Sequence, residues 1–254
     1  MSAAAAGAAT TGAALLGRFN AITPQRAFEE IADQIRALVA QGQLRPGDRL
    51  PPERELAGAF QVSRNTLREA LRALELAGMI ESRKGAAGGA FVRPGNAQVV
   101  AGGMRDLYHL GAITPEHLTE ARIWLSEMVV RVVCARGTEA DFAALQANVE
   151  AMRAADAAGD FDERQRLNRE FHLILARATR NPIVVVTMEG VMAVLGRFIE
   201  QIGPGSNPFT LPSRERFMRH LRARDATAAV AEMTRFLARM QRSYLAQWKA
   251  RLKS

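Results

Sequence analysis

Apolar residues recur at spacings of three and four along most of this chain, the signature of helices with one buried face. After Thr23-Pro24, which suits a helix start with proline in the first turn, Ala27, Ile31, Ile35 and Leu38 form one stripe. Gly42 closes that helix, and residues 44–48 carry turn chemistry. A second helix is predicted over 52–60, and a third runs from the N-cap Ser63 to Ala77-Gly78. Two extended pieces, 79–83 and 90–93, flank the glycine-rich segment 84–89 and predict a hairpin. Pro94-Gly95-Asn96 marks a boundary. Beyond it the pattern predicts helices over 98–110, 115–136, 139–158, 161–179, 182–202, 212–223 and 226–253. Thr138, Asn181 and Asp225 are the expected N-caps, and no strand pattern follows Arg93, so a helical bundle is predicted.

Composition narrows the partners. With 254 residues, 48% hydrophobic and 24% charged, the chain suits two ordinary globular domains. Its formal net charge of +8 favours a polyanionic partner without locating a site, because the basic residues are spread along the chain. Cys134 is the single cysteine, so no intramolecular disulfide or thiolate zinc site can form, which fits a reducing cytoplasm. No apolar run of about 18 residues is read, so no membrane span is expected. Residues 1–11 are Ala-rich but lack a basic start and a strongly apolar core; 1–22 are expected to be a disordered tail and not a signal peptide.

The third helix carries the clearest chemistry. At 100° per residue, Leu67, Ala70, Leu71, Leu74 and Ala77 share one arc, while Arg64, Asn65, Arg68 and Arg72 share the opposite one. Arginine can grip guanine and asparagine adenine, and both hold phosphates. Periodicity alone leaves a solvated polar face as an equal reading.

The ordered set of motifs goes further. Pro46-Gly47-Asp48-Arg49-Leu50-Pro51, Glu53-Arg54-Glu55-Leu56-Ala57, Val62-Ser63-Arg64-Asn65-Thr66-Leu67-Arg68-Glu69-Ala70-Leu71 and Leu74-Glu75-Leu76-Ala77-Gly78-Met79-Ile80 resemble the GntR family winged helix. The resemblance implies a mostly α protein: an N-terminal winged helix-turn-helix of three helices plus a β-hairpin wing, then an all-α FCD-type bundle. It implies that Arg54, Arg64 and Arg68 contact DNA, with Asn65 and Thr66 beside them, and that Gly88-Gly89 at the wing tip lies on the minor groove or its backbone. Arg72 and Lys84 are read as ordinary exposed cations.

The rest of the chain resembles the FadR-type, or FCD, effector domain through Leu118-Thr119-Glu120-Ala121-Arg122, Asn168-Arg169-Glu170-Phe171-His172, Arg180-Asn181-Pro182 and Ala223-Arg224-Asp225. The expected organisation is a tail (1–22), a DNA-binding domain (23–93), a linker with connecting helix (94–112) and an effector-binding and dimerisation domain (113–254). Many domains of this kind hold a divalent metal through one Asp or Asn and three histidines. Asn168 and His172 sit four residues apart on one helical face, but the other two places fall on Arg214 and Phe236. One histidine and one amide oxygen do not make a site, so no metal or other cofactor is expected. His109, His117 and His220 are read as structural, and His172 as either a core histidine or a ligand contact. Arg214, with Arg122 pointing inward in the family pattern, is expected to hold a carboxylate-bearing effector beside Asn168 and His172.

The functional expectation is a homodimeric repressor, bound to double-stranded DNA at an inverted repeat and released by a small organic acid. The alternative is a metal-responsive or ligand-independent regulator whose bundle serves dimerisation. Trp124 and Leu125 suit either core or dimer surface. No nucleophile motif, phosphate loop or cofactor lysine motif speaks for an enzyme.

Overall fold

The computed structural model describes residues 25–85, 88–95, 97–203 and 208–253. The expected tail, the helix start at Thr23-Pro24, Asn96 and parts of the wing tip and of the 203–208 loop lie outside the described residues. The chain divides into two compact units, 1–96 and 97–254.

In the first unit, α1 (Gln25–Ala40), α2 (Glu53–Ala59) and α3 (Arg64–Leu76) precede a hairpin of β1 (Ile80–Arg83) and β2 (Gly89–Val92). Their apolar faces close one core: Ile31 and Ile35 of α1, Ala57 of α2, Leu67, Leu71 and Leu74 of α3, and Ile80 and Val92 of the strands. Ser63 caps α3, accepting a hydrogen bond from Thr66 N at 3.1 Å, which satisfies one otherwise open helix N–H. The strands pair antiparallel from Ile80 opposite Val92 to Arg83 opposite Gly89. A third extended segment, missed by the pattern because it is only a few residues long, lies along β2. Leu50 N donates to Ala90 O at 2.8 Å, Val92 N to Asp48 O at 2.9 Å, and Arg49 bridges Phe91.

The second unit is all-helical among the described residues: α4 (Ala97–His109), α5 (Pro115–Arg136), α6 (Glu139–Ala157), α7 (Phe161–Ala178), α8 (Pro182–Ile202), α9 (Thr210–Arg222) and α10 (Ala226–Arg251). The helix expected as a connector, α4, instead packs along α8, and α8 also packs against α5, α7 and α10. Its central place explains its composition. Helix α8 is long and apolar enough to cross a membrane, with a mean hydropathy of 1.7, yet half of that stretch is buried inside the bundle. The sequence reading passed over it because Glu189 and Arg197 interrupt the run.

Three N-caps fall where the sequence placed them. Thr138 and Asp141 form a reciprocal capping box at α6, Asn181 accepts from Ile183 N at 3.0 Å, and Asp225 accepts from Ala228 N at 2.9 Å. The Ala223-Arg224-Asp225 junction also closes α5. Arg224, at φ +54°, donates to Cys134 O at 2.9 Å and to Gly137 O at 2.8 Å, covering carbonyls that the helix end leaves open.

Candidate functional site

On α3, burial of Leu67, Ala70, Leu71 and Leu74 turns Arg64, Asn65, Arg68 and Arg72 outward, with Thr66 half-buried beside the cap. Arg54 is exposed on α2. Arg68 is engaged: its Nε donates to Glu53 Oε2 at 2.8 Å. Both partners of that pair are well exposed, so it contributes at most about 1 kcal/mol and can be exchanged for a phosphate. A cleft of about 350 Å³ beside α3 and the hairpin is lined by Arg49, Arg68, Arg72 and Arg83 along with Glu53 and Glu75.

The two wing glycines have an intramolecular role that the sequence reading did not see. Gly89 has φ +143°, and a Cβ there would lie 2.9 Å from Arg49 Nε. A Cβ on Gly88 would lie 2.3 Å from the Arg83 carbonyl oxygen. Arg49 donates to Gly88 O, and the Arg83 guanidinium stacks 4.2 Å above the Phe91 ring. Both positions therefore need glycine to form the wing, before any DNA is considered.

Inside the second unit the structure brings together Arg122 of α5, Asn168 and His172 of α7, and Arg214 of α9. Arg122 and Arg214 are each 3% exposed and His172 is fully buried. Arg122 Nη2 donates to His172 Nε2 at 2.9 Å; Arg214 Nη2 donates to the same nitrogen at 3.3 Å and to Asn168 Oδ1 at 3.0 Å. Guanidinium groups only donate, so Nε2 must be the acceptor and the imidazole proton sits on Nδ1. Burial, and then the charges of Arg122 and Arg214, hold His172 well below its ordinary pKa, so it is neutral.

The charge balance of this cluster is its main feature. Among the described residues, neither Arg122 nor Arg214 makes an ion pair with a carboxylate. Arg122 and Tyr244 line the same cavity, and the Arg214 guanidinium stacks 3.5 Å above the Phe171 ring. Arg122 Nε, Arg214 Nε, Ser126 Oγ and His172 Nδ1 are buried without a hydrogen-bond partner. Burial and the neighbouring Arg122 charge push Arg214 well below its ordinary pKa, and burial lowers Arg122 too. Guanidinium nevertheless keeps its proton in proteins, so the cluster holds two buried positive charges that no carboxylate among the described residues neutralises.

A cavity of about 50 Å³ reaches this cluster. Arg122, Asn168, Thr210, Phe236, Met240 and Tyr244 are among its walls, and among the described residues no Asp or Glu lines it. One water needs about 10–15 Å³ on this measure, so the space admits a few small groups and not a long chain. Arg164, also in the wall, is met by Asp156 at 3.2 Å. Sequence reasoning missed Tyr244 and Ser126. Tyr244 completes the four-residue steps Phe236, Met240, Tyr244 on α10, and Ser126 lies four residues after Arg122, so helical spacing would have found both. His109 and His117 are exposed and His220 is half-buried. Trp124 is 62% exposed, whereas Leu125 packs against the core.

Residues 27–92 match the family model described as bacterial regulatory proteins, gntR family, and residues 117–239 match the FCD domain. A protein of Escherichia coli (strain K12), assigned to regulation of the L-lactate dehydrogenase operon, is 34% identical over 181 residues, covering 68% of this chain and 67% of its own. The HTH-type transcriptional regulator LutR of Bacillus subtilis (strain 168) is 30% identical over 158 residues, covering 62% of this chain and 70% of its own. A solved structure of a GntR protein from Streptococcus agalactiae shares the fold, with a TM-score of 0.67 at 24% identity over 85% of this chain and 99% of that one.

Proposed function

Since the chain belongs to the GntR family and is a DNA-binding transcription regulator with an FCD effector domain, we propose that it is a homodimeric repressor, released from an inverted-repeat operator by a small carboxylate. The observation that carries the ligand class is the pair of buried guanidinium groups, Arg122 in the wall of the cavity and Arg214 directly behind it, with no Asp or Glu among the described lining residues. An anion entering there supplies the missing charge and hydrogen-bond acceptors, and charge-assisted bonds of this kind are the strong ones. Asn168 and His172 hold the two arginines in place.

DNA binding is assigned to 23–93, sensing and dimerisation to 113–254, with 94–112 between them. Arg64, Asn65 and Arg68 meet the major groove, Thr66 and Arg54 the backbone, and the Gly88-Gly89 wing tip the minor groove. Binding of the acid favours a dimer geometry that no longer fits both half-sites, which is release by linkage. The protein acts beside the chromosome in the cytoplasm, and no catalytic step is assigned to it.

The test is retention of genomic fragments by the purified protein, followed by elution with candidate acids. L-lactate comes first, because a related protein is assigned to an L-lactate dehydrogenase operon. The expected result is an enriched inverted repeat that one small acid releases. Enrichment of no sequence would overturn the operator reading. Retention that no carboxylate relieves would overturn the ligand class.

A further inference from the structure

The family resemblance implies a divalent cation at Asn168, His172 and two more histidines, and the side chains present do not fit one. Asn168 Oδ1 and His172 Nε2, the two lone pairs such an ion would use, both accept hydrogen bonds from Arg214 Nη2, at 3.0 and 3.3 Å. Phe236 stands at the other expected ligand position, with its ring centroid 5.4 Å from the Arg214 guanidinium carbon. Phe171 closes on the same guanidinium at 3.5 Å, so aromatic rings pack around a flat cation rather than donor atoms around a spherical one. Among the described residues no group of three His, Cys, Asp or Glu side chains could hold a metal ion. Two fixed positive charges would also repel a divalent ion placed there.

We propose that the Arg214 guanidinium is a built-in substitute for the divalent cation, and that the site takes one carboxylate across Arg214 and Arg122 without any metal. This rests on reading the cavity as the effector site. Arg122 and Arg214 both reach His172 Nε2, so the two guanidinium groups are neighbours, and each keeps an unpartnered Nε–H that a carboxylate oxygen could accept from. The exchange at 214 and that at 236 form a unit. Arginine brings the charge, and phenylalanine supplies a face for it where a histidine would have competed for metal. Sensing then becomes independent of metal supply, because the cation is part of the chain.

The experiment measures metal in the tag-free, full-length protein after dialysis against EDTA and re-addition of Ni²⁺, by elemental analysis and thermal melting. The wild-type protein is expected to hold far less than one ion per chain, with an unmoved Tm. The double variant Arg214→His/Phe236→His, which restores the four-ligand set, is expected to gain about one Ni²⁺ per chain and a higher Tm. Phe236→His alone keeps Arg214 in place and is expected to gain none. A stoichiometric, EDTA-removable ion in the wild type overturns the proposal, as does a folded double variant that binds no metal. If the double variant does not fold, the wild type still decides: the Tm shift given by L-lactate or propionate must be the same in EDTA as in Ni²⁺. A shift that appears only with Ni²⁺ overturns the proposal. If neither acid shifts the Tm under either condition while the wild type holds no metal, the carboxylate reading fails, and with it this assignment of Arg214's role; the metal result shows which of the two statements failed.

Discussion

Replacing Arg214 with methionine separates ligand binding from folding. In the ligand-free protein Arg214 stacks on Phe171 and makes two hydrogen bonds, and its charge lacks a carboxylate partner. Losing those bonds costs roughly 1.5–3 kcal/mol each, but relieving an uncompensated buried charge returns several kcal/mol. The ligand-free Tm is therefore expected to hold or rise. The bound state behaves differently. A carboxylate at about 100 times its Kd stabilises the wild type by about 2.7 kcal/mol, or about 5–10 °C for a unit of this size. Removing one arm of the clamp forfeits two charge-assisted bonds, about 3 kcal/mol, which weakens binding roughly 150-fold. At the same ligand concentration the remaining stabilisation is about 0.3 kcal/mol, a shift of about 1 °C. Differential scanning fluorimetry with and without the acid reads both numbers. An Arg214→Met protein that keeps the full ligand shift would refute the role of the guanidinium. One whose ligand-free Tm collapses would refute the claim that its charge is uncompensated.

Arg64→Ala is expected to cost about 1–3 kcal/mol of operator affinity if it reads a base, measured by gel shift at fixed salt; unchanged affinity removes it from the interface. Glu53→Gln frees Arg68 from its 2.8 Å partner and takes a negative charge from the DNA-facing side. It should steepen the slope of log affinity against log salt by up to about one unit while costing less than about 1 kcal/mol of stability. Gly88→Ala should destabilise the first unit by about 1–3 kcal/mol even without DNA, because the new Cβ meets the Arg83 carbonyl at 2.3 Å; a melt unchanged from wild type would place the glycine's role in DNA contact alone. His172 predicts a pH dependence. Its pKa is lowered in the fold, so the unfolded chain binds the extra proton first, and stability falls as pH drops below the ordinary histidine value of 6.5. The slope approaches about 1.4 kcal/mol per pH unit, and His172→Gln should flatten it over that window.

The parts legible in the sequence were those fixed by local rules. Helix caps at Ser63, Thr138, Asn181 and Asp225 were readable because a short polar side chain before an apolar stripe satisfies open helix N–H groups wherever the helix ends up. The opposed faces of α3 were readable for the same reason, since 3.6 residues per turn fixes which side chains share a face. What stayed hidden depended on partners distant in the chain. The strand-like pairing of Arg49 with Phe91 spans more than forty residues, and it sets the Arg49 side chain against Gly89, where a Cβ would crowd it. The role of Glu53 was hidden likewise, because a motif glutamate looks the same whether it faces solvent or holds Arg68.

Arg214 shows where the two kinds of information meet. Its place in the family's ligand pattern named it as a replacement for a metal ligand, but that pattern could not say whether its charge would be neutralised by a neighbouring acid. Had Glu232, which is also buried, been its partner, the cluster would be a closed internal ion pair with nothing to offer a ligand. Instead Glu232 is occupied by Ser213 at 2.7 Å, Arg216 at 2.8 Å and Arg235 at 3.2 Å. The acid on α10 is thus spent on exposed arginines, while the buried pair is left without a carboxylate and Arg122 lines a cavity. Burying charge is costly unless something offsets it, and in the proposed function the offset is left to a molecule that comes and goes. That is the physical requirement for a sensor: the protein must be incomplete without its ligand, by an amount the ligand can supply.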